Sequence, residues 1–279
     1  MKPFSLNIRG CLKEFGHPVV MGIVNVTPDS FFAGSRVNAP AQISRRAERM
    51  AAEGADMVDI GACSTRPGAE IVGADEEWRR LEAGIAAVRR AVGTDIPVSV
   101  DTFRADVARR AVEAGADIIN DISGGNLDSG MFAAVAELKV PYILMHMRGT
   151  PATMQTLTDY DGNIAACVAR ELSGPLRRLE EAGVADIIVD PGFGFAKTLR
   201  QNWELARDME SLEILNRPML VGVSRKSMLV KLLNISADEA LPATTALNFA
   251  MLERGAAILR VHDVAEARQA TAMYAAISS

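Results

Sequence analysis

Long apolar runs, paired cysteines and a basic excess are all missing from this chain. Gly, Asn, Asp or Arg interrupts every apolar stretch before it reaches the roughly 20 residues that a bilayer-spanning helix requires. From Met1 to Gly16 the chain mixes Lys2, Arg9 and Lys13 with polar residues and lacks the apolar centre of a secretory leader. Cys11, Cys63 and Cys167 are too few and too scattered for a disulfide framework, and no two form a CxxC pair. Each therefore reads as a small buried residue or a free thiol, and a reducing cytoplasm is the expected compartment. The formal net charge of −5 argues against a general nucleic-acid or anionic-membrane binder, whose surface is normally basic. A local basic pocket for a small anion stays open. No GxGxxG or Walker fingerprint follows any strand-like run, which weakens an open nucleotide-binding sheet.

What the chain has is regular alternation. Its 279 residues, about half of them apolar, suffice for one large core. Eight short runs rich in β-branched residues punctuate it: VVMGIVNV from Val19, MVDIG from Met57, PVSVD from Pro97, IINDI from Ile118, YILMHM from Tyr142, IIVDPG from Ile187, MLVGVS from Met219 and ILRVHD from Ile258. None alternates cleanly between polar and apolar residues, so each reads as a parallel strand buried on both faces. The intervals are long enough for crossover helices. The clearest is Asp75 to Val92, with Trp78, Leu81, Ile85, Val88 and Val92 at helical spacing. Asp238 to Arg254 and Asp263 to Ile277 read similarly, with acids in the first turn to suit the helix dipole. Gly174-Pro175 should kink or divide a helix over Asp161 to Glu181, and a short extra helix is expected between Arg225 and Asn234. Gly54, Gly115, Gly183 and Gly255 read as helix C-caps. Eight units in strict alternation imply an α/β fold, a (β/α)8 TIM barrel formed as a single domain over residues 1–279 with its core at about 18–278.

Polar residues gather at the ends of those runs: Asn25, Asp59, Asp101, Asn120 with Asp121, His146, Asp190, Ser224, and Arg260 with His262. In a barrel those ends converge on one face, where such enzymes place their active sites. Any one of these residues reads equally well as a helix cap or turn, but that explanation is weak for all eight strands together. Asp190 is a carboxylate at the mouth able to accept two N–H bonds from an amidine-like edge, and Asn120 offers both a donor and an acceptor to complete recognition of a flat ring. Lys226 stands where a helix should start, against the positive end of its dipole, which favours contact with electron-rich ring atoms; Ser224 and Ser227 would orient its loop. Arg260 and His262 alternate along a strand and point the same way; with Arg66 they suit a polyanion such as diphosphate. Two long loops, Asn25 to Arg36 and Cys63 to Glu70, are rich in Gly, Pro and Ser and read as lids.

At these residues the sequence resembles the dihydropteroate synthase family nearly end to end. MGIVNVTPDSF, STRPGA, SVDTFR, INDISGG, MHMRGTP, DPGFGF, VSRKS and RVHDV occur in that order and spacing, and the ordered set is far more specific than any one motif. The resemblance implies condensation of 6-hydroxymethyl-7,8-dihydropterin diphosphate with p-aminobenzoate, giving 7,8-dihydropteroate and diphosphate in folate biosynthesis. It also implies a homodimer formed through the later helices and competition by sulfonamides, which mimic p-aminobenzoate. Carried over residue by residue, Asp101, Asn120, Asp190 and Lys226 hold the pterin, with Met145 packed against it. Asn25 coordinates magnesium, while Thr65, Arg66, Arg260 and His262 attend the diphosphate. Phe31, Thr65, Pro67, Phe195, Lys226 and Ser227 form the p-aminobenzoate pocket. The catalytic set is Asp101, Lys226, Arg260 and Arg66, acting through charge stabilisation rather than a nucleophile.

Three positions depart from the family's commonest pattern. Cys63 stands where glutamate is usual, Ala196 where glycine is common, and the first loop reads FFAGSR. The rival readings are a pterin-binding methyltransferase domain, a non-catalytic paralogue and an unrelated phosphate-binding barrel. The first should lack the TPDSF, STRPG and VSRKS segments, and the second should have lost residues such as Lys226 or Arg260. The third would leave the Asn120 and Asp190 pair unexplained.

Overall fold

The computed structural model describes residues 2–26, 39–63 and 72–278. A two-stranded antiparallel hairpin comes first, β1 (Phe4–Ile8) and β2 (Cys11–Phe15). Eight parallel strands then close a barrel: β3 (Val19–Asn25), β4 (Met57–Gly61), β5 (Val98–Asp101), β6 (Ile118–Asp121), β7 (Tyr142–Met145), β8 (Ile187–Asp190), β9 (Met219–Val221) and β10 (Ala256–Val261). Each neighbours the next in chain order, and β10 pairs with both β9 and β3 to close the ring. All eight expected strands are present.

Helices fill the crossovers: α1 (Ala39–Ala52), α2 (Ala74–Val92), α3 (Ala105–Glu113), α4 (Met131–Leu138), α5 (Ile164–Glu181), α6 (Leu199–Arg207), α7 (Ser227–Leu233), α8 (Leu241–Glu253) and α9 (Val264–Ser278). In α2 the residues read from spacing, Trp78, Leu81, Ile85, Val88 and Val92, are the buried stripe, with Asp75, Glu76 and Glu77 in its first turn. Gly54, Gly115, Gly183 and Gly255 all take positive φ, between 87° and 108°, the backbone region that glycine enters without a Cβ clash. No described helix is long and apolar enough to cross a membrane.

Two helical expectations need correction. Helix α5 runs unbroken through Pro175. Leu172 on one side of the proline and Leu176 and Leu179 on the other are all buried. At about 1.5–3 kcal/mol for each buried leucine, this packing outweighs the roughly 3 kcal/mol that an interior proline costs. Asp238 lies ahead of α8, whose start is set by Pro242 in its first turn; α9 does carry the expected acid in its first turn, Glu266, with Asp263 just ahead of it. Asp238 and Asp263 engage Arg225, at 3.2 and 2.7 Å.

Strand alternation sorts the barrel into layers. Outward residues such as Val24, Ile60, Val100, Leu144, Val189 and Val261 join the core beneath the helices. Inward residues at the strand starts, among them Met21, Met57, Ile118, Ile143, Ile188 and Ile258, form an apolar floor. Leu6, Ile8 and Phe15 of the hairpin pack into this same cluster and plug the N-terminal end of the barrel. Charged and polar residues at Met1 to Gly16 had masked this hairpin. Its turn, Arg9-Gly10, takes positive φ at both positions, the geometry that suits strand twist in tight hairpins.

Three aspartates in Ala-Asp pairs just ahead of strands brace this end. Asp56 Oδ2 accepts from Val20 N at 2.8 Å, Asp117 Oδ2 from Val98 N at 2.7 Å, and Asp186 Oδ2 from Asn7 N at 2.8 Å. Asp117, whose side chain is wholly buried, also receives Arg89 and lies 3.1 Å from Arg9 Nε. Asp117→Ala leaves the Val98 N–H without its acceptor and removes the carboxylate from Arg89 and Arg9, and should cost about 1–3 kcal/mol in a denaturant titration; an unchanged midpoint would refute the bracing role.

Candidate active site

The inward alternation that builds the floor continues upward and turns polar. Two residues above Met57, Ile118, Ile188 and Ile258 stand Asp59, Asn120, Asp190 and Arg260. In the sheet register Asn25 pairs with Gly61, Gly61 with Asp101, and Asp101 with Asn120, while Met145 pairs with Asp190. The strand ends therefore gather Asp101, Asn120, Met145, Asp190 and Arg260 on one rim, with Lys226 supplied as the N-cap of α7.

The centre of the rim is Arg260. Its Nε lies 2.7 Å and its NH2 2.6 Å from Asp59 Oδ2, and NH2 lies 3.3 Å from Asp101 Oδ2. Asn120 Nδ2 donates to the same Asp59 oxygen at 3.2 Å. Asp59 Oδ1 is buried and has no hydrogen-bond partner among the described residues. Asp190 Oδ1 accepts from Gly192 N at 2.7 Å. Lys226 donates to the Phe193 carbonyl at 2.8 Å and sits 4.5 Å from the Phe195 ring centroid. Met145 and Phe195 share an apolar cluster with Ile122 and Met147, which gives the rim a flat, greasy wall.

Burial governs the ionisation of this group. It pushes the Asp101 carboxyl up to about 7, with Arg260 opposing and Asp59 and Asp121 reinforcing. Asp190 is raised by burial against the pull of Gly192 N–H, Lys226 and Arg260. The Lys226 ammonium is lowered to about 8 by burial. For Arg260, burial acts to lower its pKa, yet Asp59 and Asp101 outweigh it and the net shift is upward.

Two roles read from the sequence change in detail. His262 was grouped with the cations for a polyanion, but burial, followed by Arg260 and Arg225, holds its pKa at about 4. Its Nδ1 lies 3.0 Å from Ser224 Oγ; with the ring neutral and the hydroxyl donating there, Nε2 is left as an uncharged donor. With no anion beside it, the ring offers a hydrogen bond rather than a charge. Arg260 in turn is engaged by two carboxylates of the rim, so it faces the ring-binding acids as well as any anion. Asn25 is exposed at the end of β3, and Ser227 is exposed as the first residue of α7. Phe31, Thr65, Arg66 and Pro67 lie outside the described residues.

Sequence reasoning assigned no role to Asp59, although it stood among the strand ends. The signal was its spacing, two residues above an inward Met57 and level with Asn120. It also passed over Lys197, a lysine in GFAKT that proves to be 4% exposed.

Both the buried His146 and the half-buried His262 should be neutral at working pH. Burial, then Lys197, lowers His146 to about 4 as well. A histidine whose folded pKa lies below its unfolded value loses stability as pH falls, here between about 6.5 and 4. Asp101, raised to about 7, contributes with the opposite sign between about 4 and 7, so a denaturation profile would mix the two. Ring resonances are the cleaner readout: those of His146 and His262 should stay flat from pH 8 to 5, and a titration near 6.5 would contradict their burial.

The geometry has counterparts among known proteins. The pattern describing the family "Pterin binding enzyme" matches residues 21–262. The dihydropteroate synthase of Synechocystis is 45% identical over 266 residues, 94% of this chain and 91% of that one. The solved dihydropteroate synthase of Yersinia pestis with a sulfonamide drug complex superposes with a TM-score of 0.91 at 38% identity, over 99% of both chains. That of Xanthomonas albilineans with 4-aminobenzoic acid gives 0.90 at 38% identity, over 99% of this chain and 98% of the other.

Proposed function

The chain belongs to the pterin binding enzyme family, and we propose that it catalyses the dihydropteroate synthase reaction: 6-hydroxymethyl-7,8-dihydropterin diphosphate and p-aminobenzoate condense to 7,8-dihydropteroate, releasing diphosphate. The observation that carries this reading is the rim itself, where Asp101, Asn120 and Asp190 stand beside Arg260 and Lys226 above an apolar floor. A methyltransferase domain would not need the VSRKS segment present here, and a non-catalytic paralogue would not need both Lys226 and Arg260.

In this reading Asp190 accepts the 2-amino group and adjacent ring N–H of the pterin, Asn120 completes that edge, and Met145 packs on its face. Lys226 contacts the electron-rich ring atoms. The carbon–oxygen bond to diphosphate breaks with the electron pair leaving on oxygen, and positive charge spreads into the pterin. Asp101, poised near neutrality, faces that charge. The amine nitrogen of p-aminobenzoate attacks the methylene from beside Phe195, Lys226 and Ser227, then loses a proton. Arg260, His262 and, from the loop outside the described residues, Thr65 and Arg66 would hold the departing anion; Phe31 and Pro67 would complete the p-aminobenzoate side.

Magnesium fits this arrangement in one way. Among the described residues no cluster of His, Cys, Asp or Glu could hold a metal, but Asn25 offers a hard amide oxygen at the rim. Magnesium commonly binds through one or two protein oxygens plus substrate phosphates and water. Asn25 would hold such an ion on the diphosphate, where it would neutralise the leaving group's charge. A homodimer finds support in Leu232 and Leu233 at the end of α7 and Met273 and Ile277 on α9, all exposed; sedimentation should give twice the chain mass, and a monomer at working concentration would exclude it.

With both substrates and magnesium supplied, diphosphate and dihydropteroate should form in equal amounts; diphosphate without dihydropteroate would defeat the reading. Asp190→Ala removes the charged acceptor of the ring edge and should weaken pterin binding by about 2–4 kcal/mol, roughly 30- to 1000-fold. Calorimetry with unchanged affinity would defeat that assignment.

A further inference from the structure

Lys197 is a buried lysine, lowered to about 7 by its burial, to which the proposed chemistry gives no task. Its Nζ lies 3.0 Å from His146 Nδ1, 3.0 Å from the Gly192 carbonyl and 3.1 Å from the Phe195 carbonyl, so each ammonium hydrogen has an acceptor. His146 can accept at Nδ1 only when neutral there, which sends its other N–H from Nε2 toward Glu171 Oε2 at 3.0 Å. Arg148 holds the same carboxylate through Nε at 3.0 Å and through NH2. The result is a chain of alternating charge and dipole, Lys197, His146, Glu171 and Arg148, running from the loop after β8 through β7 to α5.

That loop is tightly folded. Gly192 and Gly194 take φ of 69° and 81°, and Ala196, not a glycine, takes 48°. A Cβ on Gly192 would fall 2.0 Å from the His146 carbonyl oxygen, so the loop lies hard against the end of β7. Lys226 grips its other side through the Phe193 carbonyl and the Phe195 ring. A methionine would fill the place of Lys197 without the cost of burying a charge. The lysine makes sense if those two carbonyls must be held.

We propose that Lys197 is a positioning residue for p-aminobenzoate: by tying the Gly192 and Phe195 carbonyls it fixes the Phe195 ring in the pocket, while His146, braced by Glu171 and Arg148, aims its ammonium. This rests on the reading that Phe195 lines the p-aminobenzoate pocket. The Asp190 backbone has its own anchor, because its carbonyl accepts from His146 N at 2.9 Å within the barrel ladder, and its carboxylate touches the loop only through Gly192 N. Loss of Lys197 therefore falls more heavily on the p-aminobenzoate side, where the Phe195 carbonyl loses its direct tie.

The test is steady-state kinetics of the full chain with both substrates varied, beside thermal unfolding. Lys197→Met should raise the p-aminobenzoate KM on the order of ten- to a hundredfold, the range that a misplaced binding surface produces, with the pterin diphosphate KM and kcat changed by less than about threefold. A second pair guards against a variant that fails to fold. His146→Leu should repeat the p-aminobenzoate defect, and His146→Asn, which keeps an acceptor near the Nδ1 position, should recover most of it. An unchanged p-aminobenzoate KM, equal losses for both substrates, or identical behaviour of the two His146 variants would overturn the proposal while leaving the function intact. A wild-type chain that makes no dihydropteroate would overturn both.

Discussion

The guanidinium of Arg260 lies between Asp59 and Asp101, where polar side chains from three barrel strands meet. Burying a carboxylate without a partner costs several kcal/mol, and breaking a buried pair costs about 3–5 kcal/mol. With Asp59 wholly buried and Asp101 largely so, the barrel mouth depends on this cation to remain folded around its acids. The same arrangement sets the chemistry. Asp101 is held near its ionisation midpoint at neutral pH, and Lys226 is brought down toward it. A ligand that carries a donor edge and a developing positive charge therefore meets acceptors whose charge the enclosure has already adjusted.

Much of this was legible in the chain because barrel strands obey a two-residue alternation. Met57 with Asp59, Ile118 with Asn120, Ile188 with Asp190 and Ile258 with Arg260 are each a floor residue followed by a rim residue on the same face. Strand runs buried on both sides made the architecture readable, and polar residues at their ends marked the face that matters. The unbroken α5 was not readable, because a proline's local penalty was set against tertiary packing that no local pattern reveals.

Partner identity was the other hidden quantity. Sequence places Arg260 and His262 on one face of a strand, but only the fold shows that the first is held by two acids and the second is a neutral donor beside Ser224. Asp59 went unassigned for the same reason, since its meaning lies in Asn120 and Arg260, which are 61 and 201 residues away. Lys197 looked like an ordinary lysine ahead of a helix; its burial comes from the loop folding back over β7.

The hairpin at the N-terminal end has a consequence for how the chain reaches this state. Leu6, Ile8 and Phe15 are synthesised before every barrel strand, yet the cluster that receives them includes Ile258 on β10. β3 likewise waits for β10 to complete its pairing. These contacts span nearly the whole chain, and long sequence separation slows folding and leaves apolar surface uncovered in the interval. Until β10 is made the nascent barrel has an open seam and a plug without its full docking site.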